Sequence, residues 1–497
     1  MHSLVSDLLL LRLGEQRDER LHKRLYNALR LSILDGSLPA QSRLPASRDL
    51  AQQLGLSRNT VLTVYEQLLA EGYVTSRAGS GTFVAGMLPD SLLSAPPVAQ
   101  GEHDRVSPAG FSSRGKTLLD QVSASPKQWG AFIPGVPDVH AFPHQLFSKI
   151  QARLSRRPTP QRLTYSCQGG TPELQRALVD YLRVSRSVHC AADQVLRTEG
   201  IHQAIDLVAR MLCDRGDVAW VEEPSYWGIR HVLQMNEVSI EPVTVDRAGM
   251  VPPARWEAPP RLIFVTPSHQ YPLGAVMSLE RRQRLLTLAR QTGSWIIEDD
   301  YDSEFRFSGQ PIPALQGLVA DPPVIYIGTF SKTLYPGLRI GYVVLPRALA
   351  QAMKTAHAEL YRGGHSIIQA ALAEFIEAGH YSAHIRRMRL LYGRRRACLT
   401  ALITRYLGPQ ALSDFSDNAG LHLVLNLPDD ADDVAIARLA NARDILVRPL
   451  SRYYLTENRR RGLLMGFACV AEEKMEGAFK ALLACIGEAY PSLIRYA

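Results

Sequence analysis

The sequence predicts two modules of different fold class: a small α+β module built on a helix-turn-helix, and a large α/β domain with a mostly parallel sheet. Three observations carry this. Two short helices with a four-residue gap are spaced between residues 47 and 72. Residues 87–125 set Pro89, Pro96, Pro97 and Pro108 among serines, glycines and mixed charges, with no apolar period. From about 126 onward, short apolar runs alternate with amphipathic helical segments. The boundaries read as 15–86 for the first module, 87–125 for a linker and 126–497 for the second module.

At 497 residues the chain exceeds one ordinary domain, and 46% hydrophobic with 21% charged residues is an ordinary globular composition. The net charge of +8 is modest, but residues 20–86 carry eight Lys and Arg against four Asp and Glu. About half of the excess positive charge therefore sits near the start, which suits a polyanion and equally a solvated basic face. The six cysteines are scattered without a CxxC pair, so reduced, mostly buried thiols are expected and zinc ligation is not. The apolar run Leu8–Leu11 is too short for a signal peptide, and no run approaches the ~20 apolar residues of a membrane span. A cytoplasmic location follows as the expectation, with no membrane partner.

In the first module, Ser47 is placed to cap a helix through Leu50 and Leu54 that Gly55 stops. Ser57 caps a second helix, in which Val61, Tyr65, Leu68 and Leu69 share one face and which Gly72 closes. Such a unit sends the N-terminal end of its second helix into a major groove, which would aim Arg58, Asn59 and Thr60 at DNA. Tyr73–Ser76 and Thr82–Val84 then flank a hairpin tip, Arg77-Ala-Gly79-Ser-Gly81, whose glycines allow close approach to a phosphate. The same spacing also fits a helical interaction domain with a basic face.

The strings Arg43-Leu-Pro-Ala-Ser-Arg48-Asp-Leu-Ala51, Leu56-Ser-Arg58-Asn-Thr-Val61, Glu71-Gly-Tyr-Val74 and Gly79-Ser-Gly-Thr-Phe-Val84 resemble a GntR-family winged helix throughout. The resemblance implies a double-stranded DNA operator as partner, contacted by Arg48, Arg58, Thr60 and the wing-tip Gly79, with Arg77 as an addition. The family often has a second arginine in the recognition helix where this chain has Leu62.

In the second module, the apolar runs Val218–Val221, Leu262–Thr266, Trp295–Ile297 and Val324–Ile327 read as strands. The third leads into Glu298-Asp299-Asp300-Tyr301, placing acids and a phenol where α/β sheets bind ligands. The fourth leads into Gly328-Thr329-Phe-Ser-Lys332, with Arg339 following in range of a phosphate. Pyridoxal phosphate needs such a set: a lysine for its aldehyde, an acid for its ring nitrogen, a donor for its phenolic oxygen and a phosphate cradle. A lysine after a strand also serves elsewhere as a surface ion-pair partner, and Asp299 could cap a loop.

Residues from about 126 to 490 resemble a fold-type I, aspartate-aminotransferase-like domain, on Phe132-Ile-Pro-Gly-Val-Pro-Asp138, Phe142-Pro143, Glu223-Pro-Ser-Tyr226 and the two strand ends above. That implies a smaller C-terminal α+β subdomain and pyridoxal 5'-phosphate as cofactor. It gives Lys332 the Schiff base, Asp299 the pyridine nitrogen, Tyr301 the phenolic oxygen and Tyr226 the ring stacking. Thr329, Arg339 and the amides of Ile201 and His202 after Gly200 take the phosphate. The chain departs from the pattern in three places. His269-Gln-Tyr271-Pro-Leu-Gly274 replaces Asn-Pro-Thr-Gly, with His269 as the substitute for the asparagine. Ile201 replaces a phosphate-loop serine. Leu464, in Leu464-Met-Gly-Phe467, replaces the arginine that holds a substrate carboxylate, leaving Arg452 or Arg448 to reach in for an effector.

The order winged helix, linker, aminotransferase-like domain is similar to the MocR/GabR-type subgroup of GntR regulators. The resemblance implies a homodimer with a head-to-tail arrangement, and a regulator that senses an amino acid, an amine or a B6 vitamer. The other readings are an active aminotransferase with an autoregulatory head, and a DNA-binding protein whose large domain has lost its cofactor.

Overall fold

In the computed structural model the chain divides into two compact units, Met1–Gly110 and Phe111–Ala497. The structure describes residues 4–14, 19–88, 110–120, 126–309, 312–415 and 419–491. Among these, no helix is long and apolar enough to cross a membrane.

The first unit comprises α1 (Leu4–Gly14), α2 (Leu21–Leu34), α3 (Ser47–Leu54), α4 (Arg58–Ala70) and the hairpin β1 (Val74–Arg77) with β2 (Gly81–Val84). Its core is built from the periodic apolar positions: Leu25 and Leu29 of α2, Leu50 of α3, and Val61 and Leu68 of α4 are all buried together. Leu9 and Leu13 of α1 join the same core, so the module starts before the predicted residue 15. Ser47 is not a cap but the first residue of α3, whose N-cap is Ala46 without a side-chain bond. Gly55 does stop α3, in a left-handed conformation at φ 64°. Ser57 caps α4 by accepting from the Thr60 amide at 3.1 Å. Ser57→Ala should therefore cost about 0.5–2 kcal/mol, read as a lower thermal midpoint of the first unit by circular dichroism.

The wing is tied to the helices by an isolated bridge from Arg43 to Phe83, with Leu44 donating to the Thr82 carbonyl at 2.9 Å. β1 and β2 pair antiparallel from Val74–Val84 to Arg77–Gly81. Gly79 turns at φ 74° and Gly81 at φ 113°, conformations that exclude most side chains.

Of the predicted linker, 89–109 and 121–125 lie outside the described residues. Within it, Ser113–Asp120 is helical, and Arg114 approaches Glu237 at 3.6 Å.

The second unit is organised on an eight-stranded sheet of β3 (Val195–Thr198), β4 (Val218–Glu223), β5 (Ser239–Asp246), β6 (Gly249–Met250), β7 (Leu262–Val265), β8 (Trp295–Asp300), β9 (Val324–Thr329) and β10 (Gly341–Val344). Their spatial order is β3-β10-β9-β8-β7-β4-β5-β6. The five strands β9, β8, β7, β4 and β5 run parallel, and β10 and β6 run against their neighbours. All four predicted strands are present. Pleat alternation feeds both faces: Ala219 and Val221 of β4 join one apolar cluster while Trp220 joins another. Helices on both faces explain the near-continuous apolar strands. A smaller three-stranded sheet, of β11 (His422–Asn426), β13 (Gly462–Gly466) and β12 (Arg448–Pro449), packs with the helices Asp433–Ala442 and Glu472–Ala489.

The cysteines are free, but mostly not fully buried as expected: Cys485 is buried, Cys167 is exposed, and the other four are intermediate.

Candidate functional site: a lysine-centred cavity

β8 runs on through its acids to Asp300, so the pleat sorts three consecutive carboxylates. Glu298 turns to one face and accepts the amides of Leu315 at 2.8 Å and Gln316 at 2.9 Å. Asp300 turns the same way and meets the Arg186 guanidinium at 2.6 Å and the Tyr326 hydroxyl at 2.6 Å. Only Asp299 faces the other way, into a cavity of about 360 Å³, within the ~300–1,000 Å³ of small-molecule sites. Burial, with Asp300 beside it, pushes the Asp299 carboxyl well above its ordinary range. A protonated ring nitrogen would supply the positive partner that reverses this.

Lys332 follows β9 and lines the same cavity. Burial lowers the pKa of its ammonium, against the pull of Asp302 and Asp299, which favours the neutral, nucleophilic amine. Gly135, at φ 72°, keeps the space in front of it: a Cβ there would lie 2.9 Å from the lysine Nζ. The opposite end is cationic. Gly200 caps the helix Ile201–Leu212, and Ile201, His202, Thr329, Ser331 and Arg339 line the cavity there. Arg339 makes no ion pair among the described residues, and a Cβ at Gly200 would come within 3.5 Å of its guanidinium. Burial, and secondarily Arg339, lowers the His202 pKa, and its Nε2 lies 3.0 Å from the Tyr226 hydroxyl.

The remaining wall is aromatic: Tyr226, Trp227, Tyr271, Tyr301 and Tyr453. The Tyr301 hydroxyl donates to the His269 carbonyl at 2.9 Å and also lies 2.9 Å from His269 Nδ1. That nitrogen is in turn 3.2 Å from the Asp302 carboxylate.

The structure thus brings Lys332, Asp299, Tyr301, Tyr226, Thr329, Arg339, Ile201 and His202 to one cavity. Two expectations need correction. His269 does not line it but sits behind Tyr301, buried and held by Asp302. Tyr271 lines it instead, and the signal was its place directly before Pro-Leu-Gly, where the motif has asparagine. Arg452 is exposed and outside the cavity, whereas Arg448 lines it. Strand pairing explains this: β12 begins at Arg448, and Arg452 lies in the following 3-10 turn with its side chain outward. The sequence reading did not single out Tyr453, Trp227 or Gln128, which also line the cavity.

The cavity's residues fit pyridoxal phosphate: a desolvated amine with clear space before it, a buried acid, and a helix N-terminus with an unpaired arginine. When bound, the cofactor supplies an aldehyde that captures primary amines and a protonated ring that withdraws electrons.

On the first unit, Arg58 and Asn59 are exposed at the start of α4, Thr60 is half-buried, and Arg48, Arg77 and Gly79 are exposed. Among the described residues none of these arginines pairs with a carboxylate, and Arg77 lies 4.7 Å over the Phe83 ring.

Comparison with known proteins agrees with both units. Residues 21–84 match the family model for bacterial regulatory proteins of the gntR family, and residues 141–482 match that for aminotransferase class I and II. The chain is 40% identical, over 95% of its length and 94% of the relative's, to the probable rhizopine catabolism regulatory protein MocR of Rhizobium meliloti. It is 31% identical, over 91% of its length and 93% of the relative's, to the HTH-type pyridoxine biosynthesis transcriptional regulator PdxR of Corynebacterium glutamicum. Its fold is similar to that of the multiple substrate aminotransferase from Thermococcus profundus, at TM-score 0.67 and 24% identity over 77% of this chain and 98% of that one. The cofactor is accordingly pyridoxal 5'-phosphate. The chain belongs to the GntR family of bacterial regulators, as a MocR-type member that joins a winged helix-turn-helix to an aminotransferase class I and II domain.

Proposed function

We propose that this protein is a pyridoxal-phosphate-dependent transcriptional regulator that binds operator DNA through its first unit and senses a primary amine, amino acid or B6 vitamer in the Lys332 cavity. The carrying observation is a contrast within one site. The residues toward the cofactor are assembled, while Leu464, at 0% exposure, is sealed in an apolar cluster with Tyr453 and Leu450 where a substrate-holding arginine was expected. Such a site captures an amine without the grip that turnover needs. Lys332 is the switch: its amine is free or engaged according to what occupies the cavity, and a ligand acts to the extent that it favours one state. Regulation, not transamination, is therefore the assigned role. The protein acts in the cytoplasm as a homodimer, paired head to tail.

The test is a gel shift on DNA upstream of the protein's own gene, repeated with pyridoxal phosphate and a panel of amines. An operator shift that none of them changes would remove the sensing half of the reading. Arg58→Ala is expected to weaken operator binding by about ten- to a hundredfold, the cost of one good base contact, with competitor DNA binding falling less. A second reading, an active aminotransferase with a DNA-binding head, draws on the same assembled cavity. Steady transfer of the amino group to a keto acid would establish it.

A further inference from the structure

Behind the cavity wall lies a buried group of side chains that the cofactor's own contacts do not use. His269 follows β7, Asp302 follows β8 and Tyr301, and His422 opens β11; all three are buried. Segments far apart in the chain thus bring two imidazoles and a carboxylate together, with one polar atom of each within 4.8 Å of the others.

The hydrogen bonds give this group a direction. The Tyr301 hydroxyl donates its single proton to the His269 carbonyl at 2.9 Å. His269 Nδ1 lies 2.9 Å from the same oxygen and is therefore the donor to it. The Nδ1 proton also faces both oxygens of Asp302, at 3.2 Å. While Nδ1–H holds the phenol oxygen, the phenol proton has two places to go: the carbonyl, or the cavity that Tyr301 lines. His422 does not compete for Asp302. Its Nε2 donates to the Pro272 carbonyl at 3.0 Å and its Nδ1 is left bare. Burial, with His269 beside it, pushes its pKa down to about 3, so it stays neutral.

Asp302 is left with more charge than bonds. A carboxylate has about four acceptor positions, and among the described residues His269 is the one hydrogen-bond donor to this carboxylate. A buried carboxylate needs a cation, and the cation facing it is Lys332. Burial lowers the pKa of the lysine, and Asp302 opposes this ahead of Asp299. Lys332 has no hydrogen bond or ion pair among the described residues, so both acids act on it through space. The other titratable groups facing this set are Tyr271 and Glu222, toward Tyr301, and Asp300, toward Asp299. Glu222, on β4, has its pKa raised to about 7 by burial, against its bonds to Thr266 and Gln270.

We propose that Asp302 and His269 are positioning residues for the Lys332 nitrogen: the charge of Asp302 holds a proton there, and His269 fixes both that carboxylate and the Tyr301 hydroxyl. The counter-charge of the lysine is thus Asp302, which leaves Asp299 to the cofactor ring. This rests on Lys332 as the cofactor's amine and holds whatever effector the cavity senses.

The experiment follows the full-length protein across pH by two readouts. The first is the rate at which protein stripped of cofactor gains its visible band on addition of pyridoxal phosphate, which tracks the neutral Lys332 amine. The second is the pH at which the band of the loaded protein fades, which tracks the proton on the lysine nitrogen. Removing an opposite charge makes that proton easier to lose, so both midpoints should move to lower pH in Asp302→Asn, by about one unit or more. Asp302→Glu should restore most of the native midpoints. His269→Gln, which keeps a donor but not one that serves Tyr301 and Asp302 together, should shift them part of the way. The titration of Glu222 is a background common to every variant. A structural role alone would lower the thermal midpoint, recorded in parallel, without moving either pH profile. Midpoints that stay in place in Asp302→Asn, or move to higher pH, overturn the proposal and leave Lys332 as the cofactor's amine; should Asp302→Asn not fold, His269→Gln decides in the same way. A native protein that gains no band overturns the Lys332 reading and this proposal together.

Discussion

Lys332→Ala is expected to abolish the visible band of the cofactor-loaded protein completely, and dialysis should then strip the cofactor that the native protein retains. The physical ground is that Lys332 is the only lysine lining the cavity among the described residues, and that Gly135 keeps the approach to its Nζ clear. Burial lowers its pKa, so the reactive neutral amine is a larger fraction at neutral pH than for an exposed lysine. The remaining contacts, from Arg339, Thr329 and the amides after Gly200, are non-covalent and leave weak, reversible binding. Absorbance spectra before and after dialysis check this, and a band persisting in Lys332→Ala would show that another amine holds the cofactor.

The largest expected loss of stability comes from Arg186→Ala. Arg186 closes the helix Pro172–Arg186 and is 5% exposed. It bonds Asp300 at 2.6 Å, and also the Ser268 hydroxyl and the Ile312 carbonyl. Among the described residues, Asp300 keeps the Tyr326 hydroxyl alone once Arg186 is removed, and its Oδ1 has no hydrogen-bond partner. Breaking one side of a buried pair costs about 3–5 kcal/mol, because the other charge stays uncompensated. Denaturant unfolding of the second unit should show this as a lower midpoint at unchanged slope. Replacing both partners, as Arg186→Met with Asp300→Leu, should recover much of the loss. A single variant within 1 kcal/mol of the native protein would contradict the account. Because Asp300 adjoins Asp299 on β8, the single variant should also weaken cofactor retention.

Much of the fold was legible because its signals are local. Gly55 and Ser57 mark the turn between α3 and α4 through backbone conformation and a side-chain cap, and both act within a few residues. The apolar runs of β4, β7, β8 and β9 announce strands covered on both faces. Ser47 illustrates where local reasoning stops: its hydroxyl suits a cap, but the chain enters α3 from the Arg43–Phe83 bridge, and that entry puts Ala46 at the capping position. Helix α1 carries no such local signal, since its apolar face is defined by the core it completes.

The site divides along the same line. Asp299 and Thr329 close strands and Tyr301, Lys332 and Arg339 follow them, and α/β sheets collect ligands at strand ends, so these residues could be named. The places of His269 and Arg452 are not legible in the chain, because adjacency does not give the direction of a side chain. His269 turns away to Asp302, and Arg452 to the exterior.

The pairing of a DNA-reading module with a lysine-centred cofactor module is legible in the chain alone, since each is written in contiguous motifs whose chemistry is local. Folding selects which of three adjacent acids enters the cavity, turns Tyr271 rather than His269 toward it, and sets Arg448 beside Leu464. Those choices depend on strand register and pleat, and register is set by pairing between segments far apart in the chain.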